Sequence, residues 1–278
     1  MTLRAMFVAV LASGCAASGP LAPKAIALND LGAAAYARDD LEHAEAELGL
    51  AIEYNPRFTE AWVNFGLVEL RRGNFTAARR RFVRAIELNP DLPAPFHGLG
   101  LLDERVGDLF EAERNYREAL KVDPGFGPAR VNLGRMLFAR QSFDEAREQF
   151  LRLTEVAPRV VEGWSGLVEA MLRLGREHEA DEILDRARSL LGERPQLVML
   201  VARRLLRQGD ASSAIAALEP MTRDGNESTR AAAYAWSAVA HAMQGDIEAS
   251  QSAVKAALRL DPHSDVARYA SRIRTNVN

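Results

Sequence analysis

Residues 59–92 read TEAWVNFGLVELRRGNFTAARRRFVRAIELNPDL. Ala61, Trp62, Phe65 and Val68 place apolar side chains at helical spacing, and the pattern stops at Arg71-Arg72-Gly73-Asn74. Gly73 and Asn74 both tolerate positive φ, so this point is a turn. A second amphipathic stretch follows, with Phe75, Ala78, Phe82, Ala85, Ile86 and Leu88 on one side. It closes at Asn89-Pro90, because a proline disfavours helix for the residue before it. The stretch is therefore a helical hairpin.

The hairpin recurs. Ala44, Ala78, Ala112, Ala146, Ala180 and Ala214 lie 34 residues apart, and Gly32, Gly66, Gly100 and Gly134 keep the same period. So do Pro56, Pro90, Pro124 and Pro158. Three residue types locked to one period define an internal repeat. Units begin at Ala25, Thr59, Pro93, Gly127, Val161, Pro195 and Ala231, with a last step of 36 residues. A single hairpin cannot bury its own apolar face, so the units stack into a solenoid. The glycine of the first helix and the alanine of the second carry almost no side chain, which predicts a close approach of the two helices.

These repeats resemble tetratricopeptide repeats. The family pattern reads Trp62, Phe65-Gly66, Ala78, Phe82, Ala85 and Pro90 in the second unit, and Phe96, Leu99-Gly100, Ala112, Tyr116, Ala119 and Pro124 in the third. The fourth gives Leu133-Gly134, Ala146, Phe150, Leu153 and Pro158. The resemblance implies an all-α fold, a right-handed superhelical solenoid of about seven tetratricopeptide hairpins. Residues 25–160 form regular repeats one to four. Residues 161–264 form divergent repeats five to seven, where Val168, Ala202 and Ala238 replace the glycine and Gly192 stands where a proline belongs. Pro220 is expected to end or kink the second helix of repeat six, and Thr222 to Thr229 to form a polar loop. Residues 265–278, with Val266, Tyr269, Ala270 and Ile273 at helical spacing, predict a capping helix.

The first 24 residues are of another kind. A basic start (Arg4), an apolar run over Ala5–Ala12 and then Ser13-Gly14-Cys15 read as a secretory signal over residues 1–14. The run is too short to span a membrane. Cys15, the only cysteine, resembles the lipidated cysteine of a bacterial lipobox, with Leu11 one place earlier than that motif prefers. Residues 15–24 then serve as a tether. Lipidation of Cys15 implies a membrane anchor, and Ala16 after it implies the periplasmic face of the outer membrane.

The net charge is −3, and −4 without Arg4, the single charge in residues 1–14, so no basic excess points to nucleic acid. The sharpest cluster is Arg79-Arg80-Arg81 with Arg84. Glu42, Glu45, Glu47 and Glu53 of the preceding second helix are its expected ion-pair partners. No catalytic constellation, cofactor or metal site is legible. His178-Glu179-Ala180-Asp181-Glu182 lacks a second histidine, and Gly98-Leu99-Gly100 has Asp103 in place of the third glycine. The chain is read as a non-enzyme.

By the family resemblance, the inner wall of the solenoid comes from the first helix of each repeat. The positions that face it supply Asn29 and Tyr36; Asn64, Leu67, Leu70 and Arg71; His97, Leu101, Glu104 and Arg105; Asn132, Arg135 and Phe138; and Glu169 and Arg173. Leucines and Phe138 offer apolar footholds, Asn64 and Asn132 hydrogen bonds, and Arg71, Arg105, Arg135 and Arg173 a ladder for carboxylates. The expected ligand is a protein or peptide segment of acidic character. Asn29, Ala94 and Gly98 depart from the carboxylate clamp of chaperone-binding relatives, so chaperone tails are not expected. Architecture and lipobox together resemble pilotin-type lipoproteins of type IV pili and imply a scaffold for assembling a pilus or secretion system. Two other readings are open: an adaptor for peptidoglycan enzymes or proteases, and a cytosolic adaptor or chaperone if Cys15 is not modified.

Overall fold

The computed structural model describes residues 23–273, which contain fifteen α-helices and no strand. Cys15, the signal and nearly all of the tether lie outside the described residues. The chain divides into two compact units, one ending at Arg140 and the other starting at Gln141. The first holds α1 (Pro23–Ala37), α2 (Leu41–Tyr54), α3 (Thr59–Arg72), α4 (Phe75–Leu88), α5 (Pro93–Val106), α6 (Leu109–Val122) and α7 (Gly127–Ala139). The second holds α8 (Phe143–Val156), α9 (Val161–Arg173), α10 (Glu177–Leu191), α11 (Pro195–Arg207), α12 (Ala211–Asp224), α13 (Glu227–Met243), α14 (Ile247–Leu260) and α15 (Asp265–Ile273).

The turn inside each hairpin has one geometry. Gly73, Gly107, Gly175, Gly209 and Gly245 all have positive φ, and Asp39 and Gln141 adopt φ of 66° and 65° at the same repeat position. The joints between hairpins are tied through the periodic prolines. Trp62 Nε1 donates to the Pro56 carbonyl at 3.0 Å, Trp164 Nε1 to that of Pro158 at 2.8 Å, and Arg130 Nε to that of Pro124 at 3.0 Å. Each donor lies six residues beyond its proline and satisfies a carbonyl that no helix uses.

The period-locked glycines do more than let two backbones approach. A Cβ on Gly66 would lie 2.5 Å from the Phe82 ring, and one on Gly98 of the next hairpin 2.4 Å from the same ring. Phe82 is fully buried between them. Gly100 makes the same room for Tyr116, and Gly32 for Leu48. The glycine is a socket for the large residue four positions beyond the periodic alanine. The alanines themselves are wholly buried.

Three expectations are corrected. Pro220 does not end its helix: α12 runs on to Asp224. Pro220 is exposed, on the side where a bend away from the core is accommodated. The polar loop shrinks to Gly225-Asn226, the Asn226 side chain caps α13 by accepting from the Thr229 N–H at 2.9 Å, and the extra residues lengthen α13 to 17. Nor does the arginine run pair with the glutamates of α2. Arg79 reaches the buried Asp103, Arg84 pairs with Glu87 on its own helix, and Arg81 lies over the Trp62 and Phe65 rings. Second helices pack against the first helix of the next hairpin, so α4 meets α5 rather than the charges of α2. At the far end α15 buries Ala267 and Ala270 against α13 and α14.

Candidate binding face

In the first unit the first helices α1, α3, α5 and α7 carry Tyr36, Asn64, Leu67, Arg71, His97, Leu101, Arg105, Asn132, Arg135 and Phe138; α9, in the second unit, carries Glu169 and Arg173. Most of the polar residues are already engaged with their neighbours. Asn64 Nδ2 donates to Asn29 Oδ1 at 2.9 Å, joining α3 to α1. Asn132 Nδ2 donates to His97 Nε2 at 2.8 Å, joining α7 to α5, and Arg135 donates to Asn132 Oδ1 at 2.9 Å. Both ends of the Asn132 amide are thereby used. Leu70 belongs to the core.

The arginine ladder is unevenly neutralised. Arg71 pairs with Asp39 at 2.9 Å and lies over the Tyr36 ring, and Arg135 lies 3.6 Å from Glu104. Tyr116 donates its hydroxyl to Glu104 at 2.8 Å. In the second unit Glu169 pairs with Arg203, which stacks over Trp236, and Arg173 lies over Phe143. Arg105 is exposed and has no carboxylate partner among the described residues. Leu67 and Leu101, half-buried on the adjoining helices, are the apolar residues on this face of α3 and α5.

Burial sets the protonation of the wall. It pushes His97 down to about 4, so the ring is neutral at physiological pH. A neutral ring with its proton on Nδ1 has the Nε2 lone pair that the Asn132 amide requires. Burial raises the Tyr116 phenol, with Glu104 adding to the effect, and raises Tyr36 against the opposing charge of Arg71. Both phenols therefore remain hydrogen-bond donors.

Asp39, Tyr116 and Arg203 were not evident as wall partners from composition, and Glu104, placed on the wall by the resemblance, was given no partner there. One signal was available: Glu169 and Arg203 are opposite charges exactly one repeat apart, and Asn29–Asn64 and His97–Asn132 are polar pairs 35 residues apart. Asp103, read in the sequence as a failed phosphate-loop position, is a buried acceptor for Arg79 at 2.5 Å and Asn115 at 2.7 Å. It ties α4, α5 and α6 together. Among the described residues no three metal-ligating side chains converge, and no helix is long and apolar enough to cross a membrane.

The tetratricopeptide repeat family signature matches residues 29–93, 97–158 and 201–265. No curated protein matches the sequence. Among solved structures, a tetratricopeptide repeat protein from Parabacteroides merdae is 18% identical with a TM-score of 0.64, over 92% of this chain and 100% of its own. PilF of Pseudomonas aeruginosa is 19% identical with a TM-score of 0.63, over 77% and 96%. Cut9 in its complex with Hcn1 is 17% identical with a TM-score of 0.65, over 89% and 49%. At these identities the likeness is one of fold.

Proposed function

Because the chain belongs to the tetratricopeptide repeat family, whose arrays are protein-interaction scaffolds, we propose that it is a lipid-anchored scaffold for a multiprotein assembly of the bacterial envelope, such as a type IV pilus or secretion system. One observation carries the binding mode. The first-helix face satisfies Asn64, Asn132, Arg71 and Arg135 internally and leaves Arg105 open beside Leu67 and Leu101. That combination suits a partner segment presenting one carboxylate to Arg105, with an apolar residue one helical turn away. The pre-formed hydrogen bonds hold the wall rigid, which lowers the ordering cost of binding. The envelope location rests on the Arg4–Cys15 pattern and on the resemblance to pilotin-type lipoproteins.

The test is affinity purification of the full-length protein from detergent-solubilised envelopes, alongside Arg105→Glu. A pilus or secretion-pore subunit that co-purifies with the parent chain and is lost with the variant supports the proposal. Cell-wall hydrolases or proteases lost in the same way transfer the protein to the adaptor class. Labelling with a fatty acid, abolished by Cys15→Ala, tests the anchor. An unlabelled parent chain places the protein elsewhere.

A further inference from the structure

The outer surface of α4 carries Thr76, Arg80, Val83 and Glu87 at spacings of four, three and four, which is one straight ridge along a helix. Two repeats later, α8 carries Asp144, Glu148, Leu151 and Glu155 at the same four positions. The two ridges match in spacing and oppose in charge at Arg80 and Glu148. Val83 is 41% exposed and Leu151 40%, and at this repeat position the other five hairpins have glycine or a charged residue. One turn earlier stand Arg80 and Glu148, both exposed and neither with an ion pair or hydrogen bond among the described residues. Overall, α4 carries four arginines against one glutamate, and α8 four acidic residues against two arginines.

Val83 also sits in an open depression of about 440 Å³ bounded by Thr76, Arg79, Arg80, Arg84 and Glu87. We infer that the occupant of this depression is a second copy of the chain, which seats Leu151 of its α8 against Val83 and pairs its Glu148 with Arg80. An exposed aliphatic residue beside an unpaired charge is what a small helix-on-helix contact needs: the aliphatic pair excludes water, and the charges select the partner. The two surfaces differ, so the contact is heterologous. Each copy offers one α4 ridge and one α8 ridge, so it can engage another copy through either. One ridge on another buries little area, so association is weak and falls as salt screens the charges. This face is separate from the first-helix wall of the proposed partner site.

The experiment titrates fluorescently labelled full-length chain with unlabelled full-length chain in a non-ionic detergent, at about 50 mM and about 500 mM salt. The expected result is saturable self-association at low salt, weakened about tenfold or more by Arg80→Glu or by Glu148→Arg alone. An equimolar mixture of the two variants restores it, because each acidic ridge again meets a basic one. Helicity by circular dichroism is expected to be unchanged, since both residues are exposed. Absence of self-association at low salt overturns the inference. So does association that either reversal leaves intact, or a mixture that fails to restore it.

Discussion

The two compact units pack the same hairpin with different shares of bulk. In the first, the first-helix position is glycine (Gly32, Gly66, Gly100) and the facing second-helix residue is large: Leu48, Phe82 and Tyr116. In the second, Val168, Ala202 and Ala238 hold the first position, and Leu184, Leu218 and Val254 hold the second. Ala202, Leu218 and Ala238 share one buried cluster, with Val254 packed against it. From Gly66/Phe82 and Gly100/Tyr116 to Ala202/Leu218 and Ala238/Val254 the first helix gains a methyl group and the second loses a ring, the kind of exchange that close-packed interiors tolerate.

The largest expected effect comes from emptying an aromatic socket. Phe82→Ala leaves a void between Gly66 and Gly98, two positions with no side chain to fill it, and is expected to cost about 3–5 kcal/mol. Urea unfolding monitored by amide exchange in α3 to α5 measures it. A cost no greater than that of the exposed Val83→Ala would remove the socket from the account.

Gly66→Ala brings a Cβ to 2.5 Å from the Phe82 ring and is expected to cost about 1–3 kcal/mol. Combined with Phe82→Leu it recreates the Ala202/Leu218 partition of the second unit. The double variant is therefore expected to be more stable than the sum of the two single effects, by an interaction of about 1 kcal/mol. Strict additivity in that double-mutant cycle would mean that glycine and ring are not coupled.

The first unit holds a group that ties its stability to pH. His97, half-buried against the Tyr116 and Phe126 rings in the first unit, titrates near 4 when folded and near its ordinary 6.5 when unfolded. Its neutral form is favoured by folding, so its contribution is complete above pH 6.5 and is lost as pH falls toward 4. Protonation also sets a ring N–H against the Asn132 amide. The expected loss is about 1–3 kcal/mol, confined to the α5–α7 region. His97→Gln is expected to flatten that slope, and exchange measured from pH 7 to 4 checks both.

The hairpins were legible because small and large residues recur with one period, and a period survives any local ambiguity of propensity. The capping helix was legible for the same reason, through its apolar spacing over Val266 to Ile273. Only the ending of α12 at Pro220 was misread: proline removes one helix hydrogen bond and clashes with the preceding turn, and its exposed side leaves room for the bend that relieves the clash, so the helix runs on to Asp224. The arginine run was misread because sequence order places α2 beside α4, whereas packing places α5 there. The wall positions rest on the resemblance, and the hydrogen-bond partners of their side chains were not legible at all. Which of the arginines remains open depends on Asp39, which the sequence gives no reason to single out, and on Glu104, whose pairing with Arg135 only the packing of α5 beside α7 reveals.

The smallest expected effect concerns the turn that both units share. Five of seven hairpins have glycine at the positive-φ position, and Asp39 and Gln141 are strained there by their Cβ. Gln141→Gly relieves that strain, partly offset by the greater freedom of glycine when unfolded, and is expected to stabilise by about 0.5–1 kcal/mol. Asp39→Gly relieves the same strain but removes the carboxylate that holds Arg71 at 2.9 Å, an exposed pair worth at most about 1 kcal/mol, so its net effect is expected to be near zero. Gly107→Gln, the reverse change at a turn with φ of 87°, is expected to destabilise by about 1 kcal/mol. Thermal unfolding of the three variants orders them directly. If Gln141→Gly lowers the midpoint, its side chain contributes more at the turn than its φ costs, and the equivalence of the seven turns fails at that hairpin.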